Sequence, residues 1–294
     1  MYRLPLDQRA RIVQALCEGT SVRATGRLTG AAKGTILRLL AEVGTACATF
    51  HDEAVRGIKA RRVQCDEIWS FCGMKERNVL PEHRGTGMLG DIWTWVGMDQ
   101  DTKLTISWLV GNRSPDAAHQ FVADLCGRLA TRVQLTTDGF NAYPLAVKAA
   151  FGSGGTDYAQ LVKIYGGGGN NPGYSPAAEI VETRKEWVMG KPRYEDVCTS
   201  HVERSNLTMR MQMRRFTRLT NGFSKKAENH AHAVALFFVF ANYCKPHATL
   251  TKQAKGVRRT PAMAAGLTNR VWTVADLVAL LPSERYRAAA TRVA

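Results

Sequence analysis

The chain has no CxxC pair, no uninterrupted apolar run long enough to cross a bilayer, and few acids for its size. Its seven cysteines, at 17, 47, 65, 72, 126, 198 and 244, are odd in number and scattered. That pattern fits free thiols in a reducing compartment better than a disulfide framework, and it offers no zinc-ligand spacing. The longest apolar stretch, 231–243, is interrupted by His232 and Asn242 and is too short to span a membrane. The start, Met1-Tyr2-Arg3-Leu4-Pro5-Leu6-Asp7, lacks the apolar core of a secretion signal. The expected location is therefore the cytoplasm, with no membrane partner. Acids number 25 against 40 lysines and arginines, a net charge of +15 over 294 residues. An excess of that size points to a polyanionic partner, because phosphates neutralised by protein cations release condensed counterions.

Helical periodicity dominates residues 1–48. Leu6, Ile12, Val13 and Leu16 share one helical face, a second short helix covers 21–28, and a third runs from Ala31 to near Gly44. Two short helices joined by Thr29-Gly30 after a leading helix fit a helix-turn-helix, with Lys33, Thr35 and Arg38 exposed near the start of the last helix. A plain three-helix bundle with a polar face fits the same pattern.

After a linker at 49–61 the periodicity changes. Strands are expected at 62–71, 91–98 and 103–110, followed by a helix that Ser114 caps and Pro115 opens. A fourth strand at 133–137, a helix from about 141 and a short fifth strand at 161–165 complete the series. Three meander strands followed by helix, strand, helix, strand is the order of a ribonuclease-H-like fold: an α/β domain over 62–245 with a mixed five-stranded sheet, preceded by the all-α helix-turn-helix domain. Residues 166–199, rich in glycine and proline, read as a loop-like insertion. Helices are expected at 200–215 and 227–243, and 246–294 reads as a basic tail with a helical patch at 273–281.

Three acids stand out. Asp66 lies in an otherwise apolar, aromatic strand, where an unpaired carboxylate is costly unless it meets a cation. Asp138 closes a strand at Thr137-Asp138-Gly139, where sites of α/β sheets gather, although Asp-Gly is also an ordinary turn. Glu203 opens a helix, and Ser200-x-x-Glu203 is equally a capping box. Glu67 rivals Asp66, because neighbours on a strand point to opposite faces. Arg210 shares a helix face with Glu203. Arg204, Arg214, Arg215, Arg218, Lys225 and Lys226 continue that region with no acid from Arg204 to Lys226, as suits a phosphate-tracking surface. Carboxylates from separate elements suit Mg²⁺, and two such ions can serve both oxygens of a phosphodiester exchange.

Taken together, Asp66-Glu67-x-Trp69-x-x-x-Gly73, Thr137-Asp138-Gly139-Phe140-x-x-Tyr143 and His201-Val202-Glu203-Arg204-x-Asn206-Leu207-x-x-Arg210 resemble the insertion-sequence-one family of bacterial DDE transposases. Arg214-Arg215-Phe216-Thr217-Arg218-Leu219-Thr220, Phe223-Ser224-Lys225-Lys226 and Glu228-x-His230 extend the resemblance, which covers about 60–245. It implies a catalytic Asp66, Asp138 and Glu203 metal triad, with Arg210 on a phosphate and Mg²⁺ (two ions, replaceable by Mn²⁺) as cofactor. It also implies cleavage and strand transfer at transposon ends, double-stranded DNA of ends and target as partner, a homodimer or larger assembly, and a nucleoid-associated location. Some members carry a cysteine zinc finger ahead of the helix-turn-helix; this chain has none. Two further readings share parts of the pattern: a non-catalytic DNA-binding regulator derived from a transposon, and a structure-selective nuclease of the same fold.

Overall fold

The computed structural model describes residues 4–84, 89–166, 180–217 and 221–282. Three helices come first: α1 (Leu6–Cys17), α2 (Val22–Thr29) and α3 (Lys33–Ala54). Ser21 caps α2 by accepting from the Ala24 amide, and Gly30 ends it in the left-handed region at φ 70°, where only glycine sits without strain. Gly44 does not stop α3, which runs ten residues further to Ala54. Absence of a side chain at Gly44 serves packing instead: a Cβ there would lie 2.6 Å from His232. The segment expected to be a linker from residue 49 is therefore helical through residue 54. Arg128 fixes this end of α3, donating to the carbonyls of His51 and Val55 and to Asp52.

The sheet follows, from β1 (Arg62–Cys72), β2 (Gly90–Asp99), β3 (Thr105–Gly111), β4 (Gln134–Asp138), β5 (Asp157–Tyr165) and β6 (Ile180–Met189). Its order is β3-β2-β1-β4-β5-β6. The first three strands form an antiparallel meander, β4 and β5 join in parallel, and β6 returns antiparallel. Helices α4 (Pro115–Arg128) and α5 (Tyr143–Phe151) make the crossovers that parallel pairing demands. The arrangement broadly matches the ribonuclease-H-like one, with a correction: the sheet has six strands, not five. The extra strand comes from 180–189, part of the stretch expected to be loop. Residues 167–179, the glycine-rich part, lie outside the described residues.

Helices α6 (Ser200–Gln212) and α7 (Ala227–Val239, continued by a π-helical turn at Phe240–Cys244) cover one face of the sheet. Ile68 and Val96 pack there on Val202, Met209 and Phe238. A larger core on the other face joins Cys65, Trp95, Phe121 and Tyr143 to Ile12, Ile36 and Val43 of the N-terminal helices. The segment expected to be a tail contributes to that core as well. It forms α8 (Ala248–Gln253), α9 (Pro261–Ala264) and α10 (Val274–Ala279), and Leu277 and Val278 are fully buried. Among the described residues, no helix is long and apolar enough to cross a membrane.

Candidate metal centre

Strand β1 presents its two faces to different layers. Gln64, Ile68 and Ser70 turn toward α6 and α7, where Gln64 accepts from the amides of His201 and Val202. Cys65 turns toward α5. The β1–β4 ladder pairs Gln64 with Thr136, and two residues on, where β4 ends, Asp66 stands level with Asp138. The early end of β4 leaves a notch that acids from both faces of β1 reach. Oxygens of Asp66, Glu67 and Asp138 all lie within 4.8 Å of one another. Both members of the Asp66/Glu67 pair, rivals in the sequence, are thus at the site.

Each acid is held differently. Asp66 accepts from Asn206 Nδ2 at 2.8 Å, and Asn206 is itself buried on α6. Asp138 accepts from the Phe140 amide at 3.1 Å, in a turn that Gln160 braces through the carbonyls of Asp138 and Phe140. The Glu67 side chain is buried and accepts from Arg113 at 3.2 Å, while Arg113 also lies 3.6 Å from Asp138. The Arg113 guanidinium stacks over Phe140 and Trp93, which fixes its plane. Glu67 Oε1 is buried and makes no hydrogen bond of ordinary geometry.

Crowding these charges in a shielded notch favours their neutral forms. Burial, followed by the charge of Asp138, pushes the Asp66 carboxyl up to about 7 and Glu67 up to about 8. Burial also raises Asp138, against the pull of the Phe140 amide and Arg113. Three oxygen-donor groups that repel one another, one of them facing the buried Tyr143 hydroxyl, fit a hard divalent cation such as Mg²⁺ or Mn²⁺. Asp66, Glu67 and Asp138 could hold it.

Glu203 lines the same pocket, of about 1080 Å³, and its charge raises Asp66 and Asp138. Its carboxylate, however, is taken by Lys163 of β5 and by the Thr199 hydroxyl. The Ser200–Glu203 capping box does not form, because Thr199, not Ser200, is the N-cap. Arg204 and Arg210 line the pocket on the side of α6. Cys65 and Cys72 are free buried thiols, and His201 stands beside Lys103 rather than among the acids. The remaining basic candidates lie elsewhere. Lys33, Arg214, Arg215, Lys225 and Lys226 line a second groove, Arg38 is exposed and Thr35 half-buried on α3, and Arg218 lies outside the described residues.

Arg113 and Lys163 are the site's unforeseen members. Arg113 sits one residue before the Ser114 cap of α4, and Lys163 sits mid-strand. Nothing local in the sequence marks either as a partner of Glu67 or Glu203.

The sequence matches no protein-family model and no curated protein. What stands is an α/β ribonuclease-H-like fold carrying a cluster of acids able to coordinate a divalent metal, as a metal-dependent hydrolytic enzyme of nuclease type requires.

Proposed function

We propose that the chain is a metal-dependent phosphodiester-cleaving enzyme acting on nucleic acid, with Asp66, Glu67 and Asp138 as its metal ligands. The observation that carries this is the convergence of three carboxylates at the end of β4, beside a pocket bordered by Arg113, Lys163, Arg204 and Arg210. When bound, a divalent ion supplies Lewis-acid polarisation of a phosphoryl oxygen and activation of water. The chain's own residues do the rest. Asn206 orients Asp66, Arg113 holds Glu67 and leans on Asp138, and Arg204 and Arg210 offer cations to the substrate's phosphates.

Within this reading, the finer assignment is a DDE transposase, cleaving and joining double-stranded DNA at inverted-repeat ends. Its two-ion form assigns the second ion to Glu203, which must first release Lys163. A nuclease without strand transfer is the competing assignment, favoured by the tight grouping of Glu67, rather than Glu203, with the two aspartates.

Cleavage of labelled DNA in Mg²⁺ tests the general reading. The wild-type chain is expected to cut, whereas Asp66→Asn and Asp138→Asn keep their fold and do not. Full cleavage by Asp138→Asn would reject the assignment. Product analysis separates the finer assignments, since a transposase yields joined strands as well as cut ends, and Glu203→Gln then loses both.

A further inference from the structure

The second groove, of about 720 Å³, lies between the N-terminal helices and the α6–α7 connection. Cations from two distant parts of the sequence meet there: Arg23 and Lys33 from one wall, Arg214, Arg215, Lys225 and Lys226 from the other. Among the described residues no acid lines it and none of the six forms an ion pair. Five of them are exposed; Arg215 is half-buried and donates to the Ser224 hydroxyl. Unpaired one-sign charge around a concavity focuses its field and awaits a polyanion.

The floor of the groove is a different material. Leu16, Val22, Leu37 and Phe223 are partly exposed along it, over the buried Leu40, Met213 and Phe237. Phe223 is partly exposed, its ring braced by Phe71 at 4.7 Å and covered at one side by Lys225. A duplex presents its phosphates outward and would meet only the cationic rim. An unpaired strand presents phosphates to the rim and turns its bases toward the apolar floor, with the Lys225-capped Phe223 ring at its edge, a pairing of charge and apolar surface that single-stranded nucleic acids use. The walls are fixed relative to each other: Gly19 of the α1–α2 turn approaches the Gln212 backbone so closely that a Cβ would lie 2.6 Å from its carbonyl oxygen.

We infer that this groove binds a single-stranded segment of nucleic acid next to the cleavage centre. The inference rests on the proposed function and names where its substrate runs. Helix α6 connects the two places, with Glu203 lining the pocket beside the metal centre and Gln212 on the groove. Nine residues of helix separate them by roughly 14 Å, about four stacked nucleotides at ~3.4 Å each.

Fluorescence anisotropy in EDTA, with labelled oligonucleotides of about 12 nucleotides, tests binding apart from cleavage. The single strand is expected to bind more tightly than the duplex of the same sequence. Replacing Arg214, Lys225 and Lys226 by glutamine is expected to weaken single-strand binding at least tenfold. It should also flatten the salt dependence, by about 0.7 in logarithmic slope for each phosphate no longer neutralised. Phe223→Leu is expected to weaken the single strand and spare the duplex. Since Phe223 also packs on Phe71, the exposed Lys225→Gln and Lys226→Gln pair serves if that variant misfolds. Preference for the duplex, or an unchanged affinity after the cations are removed, overturns the inference. Asp66→Asn separates it from the catalytic reading. Tight single-strand binding by that variant, with wild-type protein that never cuts, would sink the cleavage proposal alone. Metal-dependent cutting without groove-dependent binding would sink the groove alone.

Discussion

At the scale of single residues, the acids of the notch dictate a pH response. The folded state raises Asp66 to about 7 and Glu67 to about 8, chiefly by burial and then by the charge of Asp138. A carboxyl raised on folding is proton-hungry in the native state. Its contribution is therefore fully present below the ordinary carboxylate range and is lost as pH climbs through 7 and 8. In EDTA, the unfolding temperature should fall between pH 5 and 8.5, and Mg²⁺ should restore it at the alkaline end. Asp66→Asn should flatten the profile, and a wild-type profile without slope would show that the acids are not strained. Two of these acids were legible in the sequence, Asp66 as a carboxylate among apolar neighbours and Asp138 as a strand terminus. Glu67 was visible only as an alternative, because alternation along a strand cannot say that β4 ends early and opens the notch to both faces. Arg113 and Lys163 were not legible, since their meaning comes from contacts with residues 46 and 40 positions away.

Among the elements, the crossing of α3 and α7 carries a tight steric constraint. The backbone of Gly44 packs on His232 with no room for a methyl group. Gly44→Ala should destabilise the chain by about 1–3 kcal/mol, read as a lower urea midpoint with an unchanged slope. No change would mean that α3 and α7 can slide apart. In sequence the same glycine looked like a stop, the usual local meaning of glycine near a helix end; only the crossing explains why it sits inside one. Strand β6 was missed for a related reason. Its side chains are mostly exposed, so it has no buried face to print an apolar alternation, and the hydrogen-bond ladder of β5 holds it. Elements packed into the core were plainer: β1 to β4 and α4 lie within a residue or two of where pattern and capping put them.

Across the whole molecule, the N-terminal helices, the sheet and the C-terminal helices share one core. Trp272 packs on Phe50 of α3 and on Tyr243, and Leu277 and Val278 of α10 are buried in the core that includes Ile12 of α1. The sequence suggested a catalytic domain between a separate reader and a tail. In the structure, buried apolar residues of all three segments belong to one cluster. Deleting residues 272–294 should expose that shared core and lower the unfolding temperature of the entire chain in a single transition. A truncated chain as stable as the full one would show that Trp272 and α10 are ornamental. The same integration sets cations of the N-terminal helices facing those of the α6–α7 connection, although nearly two hundred residues lie between them.

Calorimetric titration of the metal-free chain with Mn²⁺ addresses the metal centre most directly. If Asp66, Glu67 and Asp138 hold the ion, the wild-type chain binds it, releases protons on binding near pH 7, and loses that binding in both Asp66→Asn and Asp138→Asn. Equal binding by those variants, or no binding by the wild type, would contradict a metal centre at the end of β4.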